Sequence, residues 1–536
     1  RHRRARGHRR LESGRRSPKR TLLGSTTVPD RVEHRDVLIV GAGISGIGGA
    51  VHLQQRCPGT TFALLESRPD IGGTWDLFRY PGVRSDSDMH TLGFSFKPWK
   101  AAESIAGGPA ILEYLRETVA EHNLEQHIRF GHRVLRAEWS SSDARWTLTA
   151  VRTGPSGDSD QIVTMTCGFL FMCSGYYSYR EGYTPKFPGR DRFKGRIVHP
   201  QEWPDDLDHA GQRVVVIGSG ATAMTLIPAI ADTAAHVTMI QRSPTYVVAR
   251  PSKDAIANQL RRFLPARLAY ALTRKKNVFR QGLVYRKTRT DPEKVKKLLL
   301  DGVRQGLGAD YDVDTHFTPS YNPWDQRLCL LPDGDLYHTI RSGKASVVTD
   351  HIDTFTEAGI RLQSGEELQA DLIVTATGLN LVTLGEMDFV VDGDRVDFAR
   401  TWTYRGLAYS DVPNLVSTFG YVNASWTLKA DLTSEYVCRL LNHMTKRGYT
   451  RCTPRLRSED AGMPERPWIA DFPAGYMKRS MHLLPRQSDR EPWLNTQNYA
   501  RDVKLIRKTA IDDGVLTFDA PDQSGSARAV QVLAGG

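Results

Sequence analysis

Three absences narrow the class of protein that this sequence can encode. No apolar run approaches the roughly 20 residues needed to span a bilayer, and no segment has the apolar core of a signal peptide. The six cysteines are scattered, without the Cys-x-x-Cys spacing of disulfide reductases or the spacing of zinc ligands. We therefore expect a cytoplasmic protein in a reducing environment, with no metal centre and no stable membrane insertion.

Net positive charge is also small in most of the chain, although the 536 residues together carry a net charge of +12. Residues 1–20 contain ten Lys or Arg and a single acid, Glu12, so the remaining 516 residues carry only +3. We predict that residues 1–35 form a disordered basic tail, because the first 30 have few apolar side chains to bury. An extension without function is the preferred interpretation, and a basic arm that binds nucleic acid or membranes is the alternative. We expect no nucleic-acid partner.

The first glycine-rich motif is Gly41-Ala42-Gly43-Ile44-Ser45-Gly46, which directly follows the apolar run at residues 36–40. Strand, G-x-G-x-x-G turn and helix are the order found in dinucleotide-binding folds, where the phosphates lie at the helix N-terminus. Glu66 ends the next apolar run, where an acid accepts hydrogen bonds from a ribose. A glycine-rich turn without a ligand is the alternative. We predict a FAD site that includes Gly41, Gly43, Gly46 and Glu66.

The second motif is Gly218-Ser219-Gly220-Ala221-Thr222-Ala223, and it also follows an apolar run. Alanine in place of the third glycine is allowed by the fingerprint. The next apolar run ends in Gln241-Arg242-Ser243 instead of an acid. An acid would repel a 2′-phosphate, whereas Arg242 offers a planar pair of donors and Ser243 a hydroxyl. We therefore predict that NADPH is preferred over NADH; a solvated surface charge is the alternative for Arg242.

Two longer patterns accompany these motifs. Between them lies F-x-G-x-x-x-H-x-x-x-W-P, formed by residues 193–204, FKGRIVHPQEWP, and residues 72–86 read GGTWDLFRYPGVRSD. Both resemble signature patterns of the Baeyer–Villiger monooxygenases, flavoproteins that use FAD, NADPH and O2 to insert oxygen beside a carbonyl. The segments at residues 75–80, 321–329 and 423–431 resemble members of that family that also oxidise thioamide sulfur.

The resemblance implies roles for individual residues. Arg327 matches the catalytic arginine of the family and Asp86 the carboxylate that positions it. In the family, reduced flavin and O2 form a C4a-peroxide, which a permanently charged guanidinium can stabilise. A surface ion pair is the alternative for Arg327. Many relatives place Lys before this arginine, but here the residue is Gln326, so phosphate selectivity rests more on Arg242.

The remaining site residues follow from the same resemblance. Implied contacts with FAD are Ser45, Thr74, Trp75, Asp76, Leu77, Asp86 and Val134. Implied contacts with NADP are Arg84, Ser85, Gly218, Ser219, Gly220, Ala221, Thr222, Ala223, Met224, Arg242 and Ser243. For His199, in the linker between the two motifs, we favour a structural role in coupling domain rotation to catalysis over proton transfer.

The fold class expected is α/β, with two Rossmann-like dinucleotide-binding domains for FAD and NADP and a helical insertion. We predict a FAD-binding domain in two parts, residues 36–185 and 365–536. Between them lies a NADP-binding domain at residues 186–364, with helices at about 253–305 that cover the active site or form a structural cap.

The preferred function is NADPH- and O2-dependent oxidation of ketones to esters or lactones, with oxidation of thioamide or sulfide sulfur as a side activity. The alternatives are an N- or S-oxygenating flavin monooxygenase, whose fingerprint lacks the final Trp-Pro, and a non-catalytic nucleotide-binding redox sensor. The presence of Arg327 and Asp86 argues against the sensor.

Overall fold

A computed structural model describes residues 32–154, 160–470, 472 and 474–520 of the chain. Within these residues the fold is α/β, with two Rossmann-like units, as the sequence predicts. Of the tail predicted for residues 1–35, residues 1–31 lie outside the described part of the chain. In the described part of the chain, no helix has both the length and the apolar character needed to cross a membrane.

The first stretch of the chain builds most of the first sheet. Its strands are β1 (Glu33–Val40), β2 (Phe62–Leu65), β3 (Ile128–Arg129), β4 (His132–Ser140), β5 (Arg145–Arg152), β6 (Gln161–Met172) and β7 (Tyr177–Gly182). Its helices are α1 (Ile44–Arg56), α2 (Thr74–Leu77), α3 (Met89–Leu92) and α4 (Gly108–Glu121). Strand β1 starts three residues before the expected position.

The middle of the chain builds the second sheet and the helical insertion. Its strands are β8 (Arg196–Val198), β9 (Arg213–Ile217), β10 (His236–Gln241), β11 (Val247–Arg250), β12 (Cys329–Pro332), β13 (Ala345–Thr349), β14 (Ile352–Phe355), β15 (Gly359–Leu362), β16 (Glu367–Gln369) and β17 (Leu372–Thr375). Its helices are α5 (Ala221–Ile230), α6 (Ala255–Phe263), α7 (Ala266–Thr290), α8 (Pro292–Leu307), α9 (Val313–His316) and α10 (Asp335–Arg341).

The last stretch returns to the first sheet. Its strands are β18 (Leu379–Leu381), β19 (Asp388–Val391), β20 (Asp394–Arg395), β21 (Thr403–Tyr404), β22 (Ala408–Tyr409), β23 (Leu415–Ser417), β24 (Arg451–Pro454), β25 (Arg466–Pro467), β26 (Arg486–Gln487) and β27 (Leu516–Asp519). Its helices are α11 (Trp426–Arg447), α12 (Gly475–Ser480) and α13 (Tyr499–Lys508).

The first sheet has the strand order β20-β19-β4-β5-β6-β1-β2-β3, with β23 also paired to β6. Strand β1 lies parallel to both β2 and β6, and both faces of its second half, residues 37–40, are buried. Val37 and Ile39 enter one hydrophobic core, while Leu38 and Val40 enter the core on the other face. This explains why residues 37–40 of β1 are continuously apolar: a parallel strand segment covered on both faces has no solvent-facing side.

The second sheet has the order β13-β10-β9-β17-β8, and its strands are parallel. Strand β9 again divides its valines between two cores, Val214 and Val216 on one face and Val215 on the other. Strand β17 lies between β9 and β8, whereas the sequence predicts that residues from 365 onward belong to the FAD-binding domain. That boundary falls too early, because β17 completes the second sheet and the chain first rejoins the first sheet at β19.

Candidate active site

A single cavity of about 870 Å³ joins the two glycine-rich motifs. Its wall includes Gly43 and Ser45 at the N-terminus of α1, and Gly220, Ala221 and Thr222 at the N-terminus of α5. In neither helix does a side chain cap the first turn. The free amide groups of both helix ends therefore face one cavity, an arrangement suited to two anionic pyrophosphates.

The first motif turns sharply into α1. Gly41 has φ +107°, and a Cβ there would lie 2.6 Å from the carbonyl oxygen of Cys173, so only glycine fits this turn. Glu66, 4% exposed, lies on the same wall at the end of β2, as the sequence predicts. Its carboxylate accepts hydrogen bonds from the backbone N–H groups of Ala42, at 2.8 Å, and Arg68, at 2.9 Å. Its remaining lone pairs suit ribose hydroxyls.

The Glu66 carboxylate is held where water is largely excluded. Burial raises its pKa above the ordinary value of 4.5, although the N–H groups of Ala42 and Arg68 and the nearby Arg68 guanidinium oppose the shift. A ligand hydroxyl that donates to this carboxylate would compensate for part of the lost hydration. Glu66 is therefore a strong acceptor only while it is ionised.

The second motif repeats the geometry of the first. Gly218 has φ +123°, and a Cβ there would lie 2.4 Å from the carbonyl oxygen of Ala376. Arg242 and Ser243 are exposed just after β10, and Arg242 has no ion-pair partner among the described residues. The Ser219 hydroxyl lies 3.3 Å from the carbonyl oxygen of Ser243, which keeps this strand end beside the motif. Arg242 therefore remains available for a phosphate.

The two residues with predicted catalytic roles lie together on the cavity wall. Arg327 precedes β12, Asp86 lies between α2 and α3, and Nε of Arg327 is 3.8 Å from Oδ2 of Asp86. The Arg327 side chain is 41% exposed and that of Asp86 is largely buried. The guanidinium thus has an adjacent countercharge and still has accessible donors.

The charges of this pair depend on each other. Burial raises the pKa of Asp86 above its usual range, while Arg327 and Arg84 oppose the shift. Partial burial disfavours the charge on Arg327, but Asp86 together with the neighbouring Tyr176, Tyr177 and Tyr476 outweighs this effect and raises the pKa of the guanidinium. Arg327 is therefore a permanent cation at any working pH.

Arg84 lies beside this pair and is only partly neutralised. Its Nη1 donates to Oδ2 of Asp335 at 2.6 Å. Its Nε and Nη2 atoms are buried and have no hydrogen-bond partner within the described part of the chain. Because an unpaired buried donor is costly, Arg84 is suited to a bound phosphate or amide group. This fits its predicted place near NADP, and Ser85 next to it also lines the cavity.

An aromatic wall beside Arg327 was not identified from the sequence. The Tyr176 ring stacks on Trp426 at a centroid distance of 5.0 Å, and the hydroxyls of Tyr176 and Tyr177 are 2.6 Å apart. Trp426 Nε1 donates to the Ser45 hydroxyl at 2.7 Å. These residues and Tyr476 line the cavity. No local pattern marks them, because Trp426 and Ser45 are 381 positions apart in the chain.

Thr74, Trp75 and Val134 lie on the cavity wall, but some residues with implied contacts do not. Asp76 and Leu77, in the short helix α2, are not part of the wall. The Asp76 carboxylate instead forms ion pairs with Arg68 and Arg79. Ala223 and Met224 are buried in the core of the second unit, where they pack α5 against its sheet. Their side chains stabilise the helix whose first turn faces the cavity.

His199 lies in the linker and is absent from the cavity wall. Its Nδ1 accepts from the backbone N–H of Gln201 at 3.1 Å, so Nε2 carries the proton and donates to the carbonyl oxygen of Gly378 at 3.0 Å. Burial lowers the pKa of the imidazole. With both nitrogens engaged and the ring neutral, His199 connects the linker to the turn after β17.

Known proteins resemble this chain in sequence and in fold. Models of two families match: flavin-binding monooxygenase-like over residues 104–284 and NAD(P)-binding Rossmann-like domain over residues 39–104. The FAD-containing monooxygenase EthA of Mycobacterium tuberculosis is 53% identical over 487 residues, 91% of this chain and 98% of that protein. The putative FAD-containing monooxygenase MymA of the same organism is 49% identical over 502 residues, 92% of this chain and 99% of that protein. A solved structure of oxidised steroid monooxygenase bound to NADP is 24% identical and has a TM-score of 0.71, covering 91% of this chain and 100% of that chain.

Proposed function

Because this chain belongs to the family of FAD-containing monooxygenases, we propose that it performs Baeyer–Villiger oxidation of ketones to esters or lactones with NADPH and O2. The observation that carries this proposal is the Arg327–Asp86 pair, at 3.8 Å on the wall of the cavity that both nucleotide motifs share. A fixed cation at that place can stabilise the negative charge that develops on oxygen during attack on a carbonyl.

The residues around the cavity fit the two cofactors of the family. Gly41, Gly43 and Glu66 on its wall would hold FAD. Gly220, also on the wall, would hold NADPH together with Gly218 and the exposed Arg242, which lie outside the wall. Bound FAD, once reduced by NADPH, supplies the activation of O2. The protein supplies the phosphate-binding helix ends, the ribose acceptor and the exclusion of water by the aromatic wall.

Arg327 and Asp86 have different electrostatic roles. Arg327 offers planar donors toward the reacting oxygen atoms and stays charged at all working pH values. Asp86 balances that charge when no anion is present and limits the movement of the guanidinium. Arg84 shares the countercharge of Asp86, so Arg327 is not fully neutralised by its partner.

Sulfur oxidation of thioamides or sulfides is a second activity that we propose for the same site. It rests on the segments at residues 75–80 and 423–431, which resemble thioamide-oxidising members of the family, and Trp75 and Trp426 of these segments line the cavity. Sulfur accepts an oxygen without a tetrahedral oxyanion at carbon, so this reaction needs Arg327 less than ketone oxidation does.

The test is a product screen of the purified holoenzyme with NADPH, O2 and a panel of linear, cyclic and aryl ketones and sulfides, analysed by gas chromatography. The expected result is an ester or lactone that carries one atom from ¹⁸O2. Arg327→Ala should retain FAD and its reduction by NADPH but form no ester, releasing hydrogen peroxide instead; Arg447→Ala, at the exposed end of α11, is the matched control. Undiminished ester formation by Arg327→Ala would remove this arginine from the mechanism. Sulfoxide without any ester across the panel would leave sulfur oxidation as the function.

A further inference from the structure

Helices α6 and α7, residues 255–290, form a hairpin with large apolar side chains in solvent. Phe263 is 83% exposed and Phe279 is 67% exposed. Ile256, Leu268 and Leu272 are also exposed. Large exposed apolar side chains that gather on one element commonly mark an interaction surface. We call these five residues the apolar stripe of the hairpin.

The stripe follows the helical repeat. In α7, positions 268, 272 and 279 are separated by four and seven residues, which places them on one side of the helix. In α6, Ile256 and Phe263 are seven residues apart and likewise share a side. Lys275 lies four residues before Phe279 and Arg286 lies seven residues after it, so both are on the same side of α7, and both are exposed. The outer side of α7 is therefore both apolar and basic.

The hairpin carries a large excess of positive charge. Residues 255–290 contain ten Lys or Arg and no acid, whereas the chain outside this segment and outside residues 1–20 has a net charge of −7. Arg274 pairs with Asp431, and Lys276 pairs with Asp254, so part of this charge is used for packing. A second set has no ion-pair partner among the described residues and is exposed: Arg262, Arg267, Lys275, Arg280, Arg286 and Lys287.

We propose that the α6–α7 hairpin binds the surface of an anionic phospholipid bilayer. Phe263, Phe279 and the leucines of the stripe enter the boundary between headgroups and acyl chains, and the free Lys and Arg side chains contact the headgroup phosphates. An amphipathic helix with bulky apolar residues on one face and basic residues around them binds in this way.

The composition of the surface favours lipid over other partners. Two copies of this hairpin would bring two strongly positive segments together, so self-association is electrostatically disfavoured. Nucleic acid would match the charge, and Phe263 and Phe279 could stack on bases, but the three aliphatic side chains of the stripe have no aromatic face and would stay uncovered. Anionic lipid satisfies both the charge and the aliphatic side chains.

The far end of α7 connects this surface with the site. Tyr285 packs edge-on against Trp324 at a centroid distance of 5.9 Å, and Arg289 pairs with Asp325 at 2.9 Å. Asp325 is two residues before Arg327. Docking of the hairpin would therefore keep the loop that carries Arg327 close to a bilayer, where apolar substrates concentrate. This consequence for the substrate rests on the proposed function, whereas the binding of the hairpin to lipid does not.

Co-sedimentation of the full-length holoenzyme with vesicles tests the proposal. The wild type should bind vesicles of phosphatidylcholine mixed with phosphatidylglycerol, and bind phosphatidylcholine alone more weakly. The double variant Phe263→Ser/Phe279→Ser should lower the partition coefficient on the mixed vesicles about tenfold or more. Ile162→Ser, which removes a side chain that is 63% exposed in β6, should bind like the wild type. All proteins keep residues 1–20, so the charge of that segment is common to them.

A second pair of substitutions keeps the test decisive if the double variant misfolds. Lys275→Gln/Arg286→Gln should weaken binding to the mixed vesicles and reduce its dependence on salt. FAD content and melting temperature report whether each variant is folded. Binding of the folded Phe263→Ser/Phe279→Ser variant at the wild-type level would overturn the proposal. Sedimentation velocity measures self-association of the same variant. If the variant loses self-association while its lipid binding is unchanged, the stripe is a contact between copies of the chain and the proposal is wrong.

Discussion

At the scale of single residues, the coenzyme preference depends on Arg242. No acid follows β10, and Arg242 is exposed without an ion-pair partner in the described residues. A charge-assisted hydrogen bond to the 2′-phosphate contributes about 1.5–3 kcal/mol. Arg242→Ala should therefore raise the KM for NADPH roughly tenfold to hundredfold and leave that for NADH nearly unchanged. Steady-state kinetics with both coenzymes measure this, and Arg447→Ala serves as the exposed-arginine control. Equal increases for the two coenzymes would show that Arg242 does not contact the phosphate.

Glu66 gives a residue-scale prediction about pH. Its ionised carboxylate is the form that accepts hydrogen bonds from a ribose, and burial raises its pKa above 4.5. The charged form is present above the raised pKa and is lost as pH falls through it. FAD affinity should therefore begin to fall at a pH higher than that at which an ordinary glutamate protonates.

Fluorescence titration of the apoprotein with FAD over a range of pH measures this effect. Glu66→Gln has the same shape but cannot ionise, so it should bind FAD more weakly and lack the acid step. An identical acid step in both proteins would assign the effect to another group.

At the scale of elements, the linker and the turn after β17 meet through His199. The ring bonds to Gly378 and Gln201, and a Cβ at Gly182 would lie 1.9 Å from the ring. His199→Gln should leave the rate of flavin reduction close to wild type but lower the yield of product per NADPH severalfold, because the hinge between the two units is loosened.

The pH profile distinguishes this positioning role from proton transfer. A neutral imidazole with both nitrogens engaged should contribute no ionisation to the pH–rate profile, so wild type and His199→Gln should have profiles of the same shape. Gly182→Ala should reproduce the loss of product yield, because it displaces the ring. If His199→Gln removes one limb of the profile, the ring transfers a proton and the structural role is wrong.

At the scale of the whole molecule, the charge is unevenly distributed. Residues 1–20 carry +9, and the first described strand starts only at Glu33. The early segment has too few apolar side chains to offset the entropy cost of ordering. Deletion of residues 1–30 should leave FAD content, melting temperature and ketone turnover unchanged. A clear fall in melting temperature or flavin content on deletion would show that this segment packs on the enzyme.

Local features of the site were predictable from the sequence because they depend on neighbours in the chain. The turn at Gly41, the helix that follows and the acid at the end of β2 lie within 26 residues of one another. Continuous apolar runs likewise identified β1 and β9 as buried parallel strands. The domain boundary predicted at residue 364 was harder to place from the sequence, because only the pairing of β17 with β9 shows that β17 belongs to the second sheet.

The amino-acid order predicts two helix N-termini, each after a glycine turn, and the resemblance to a family indicates Arg327 and Asp86. Three features of the site follow from the folded chain alone: both helix ends open on one cavity, Asp86 and Arg327 are 3.8 Å apart, and Tyr176 and Trp426 stack beside them. The difference lies in the sequence separation of the residues that interact. Backbone turns and helix starts are set by the sterics and hydrogen bonds of adjacent residues, whereas contacts between residues hundreds of positions apart exist only after the two sheets have packed and the chain has crossed between them.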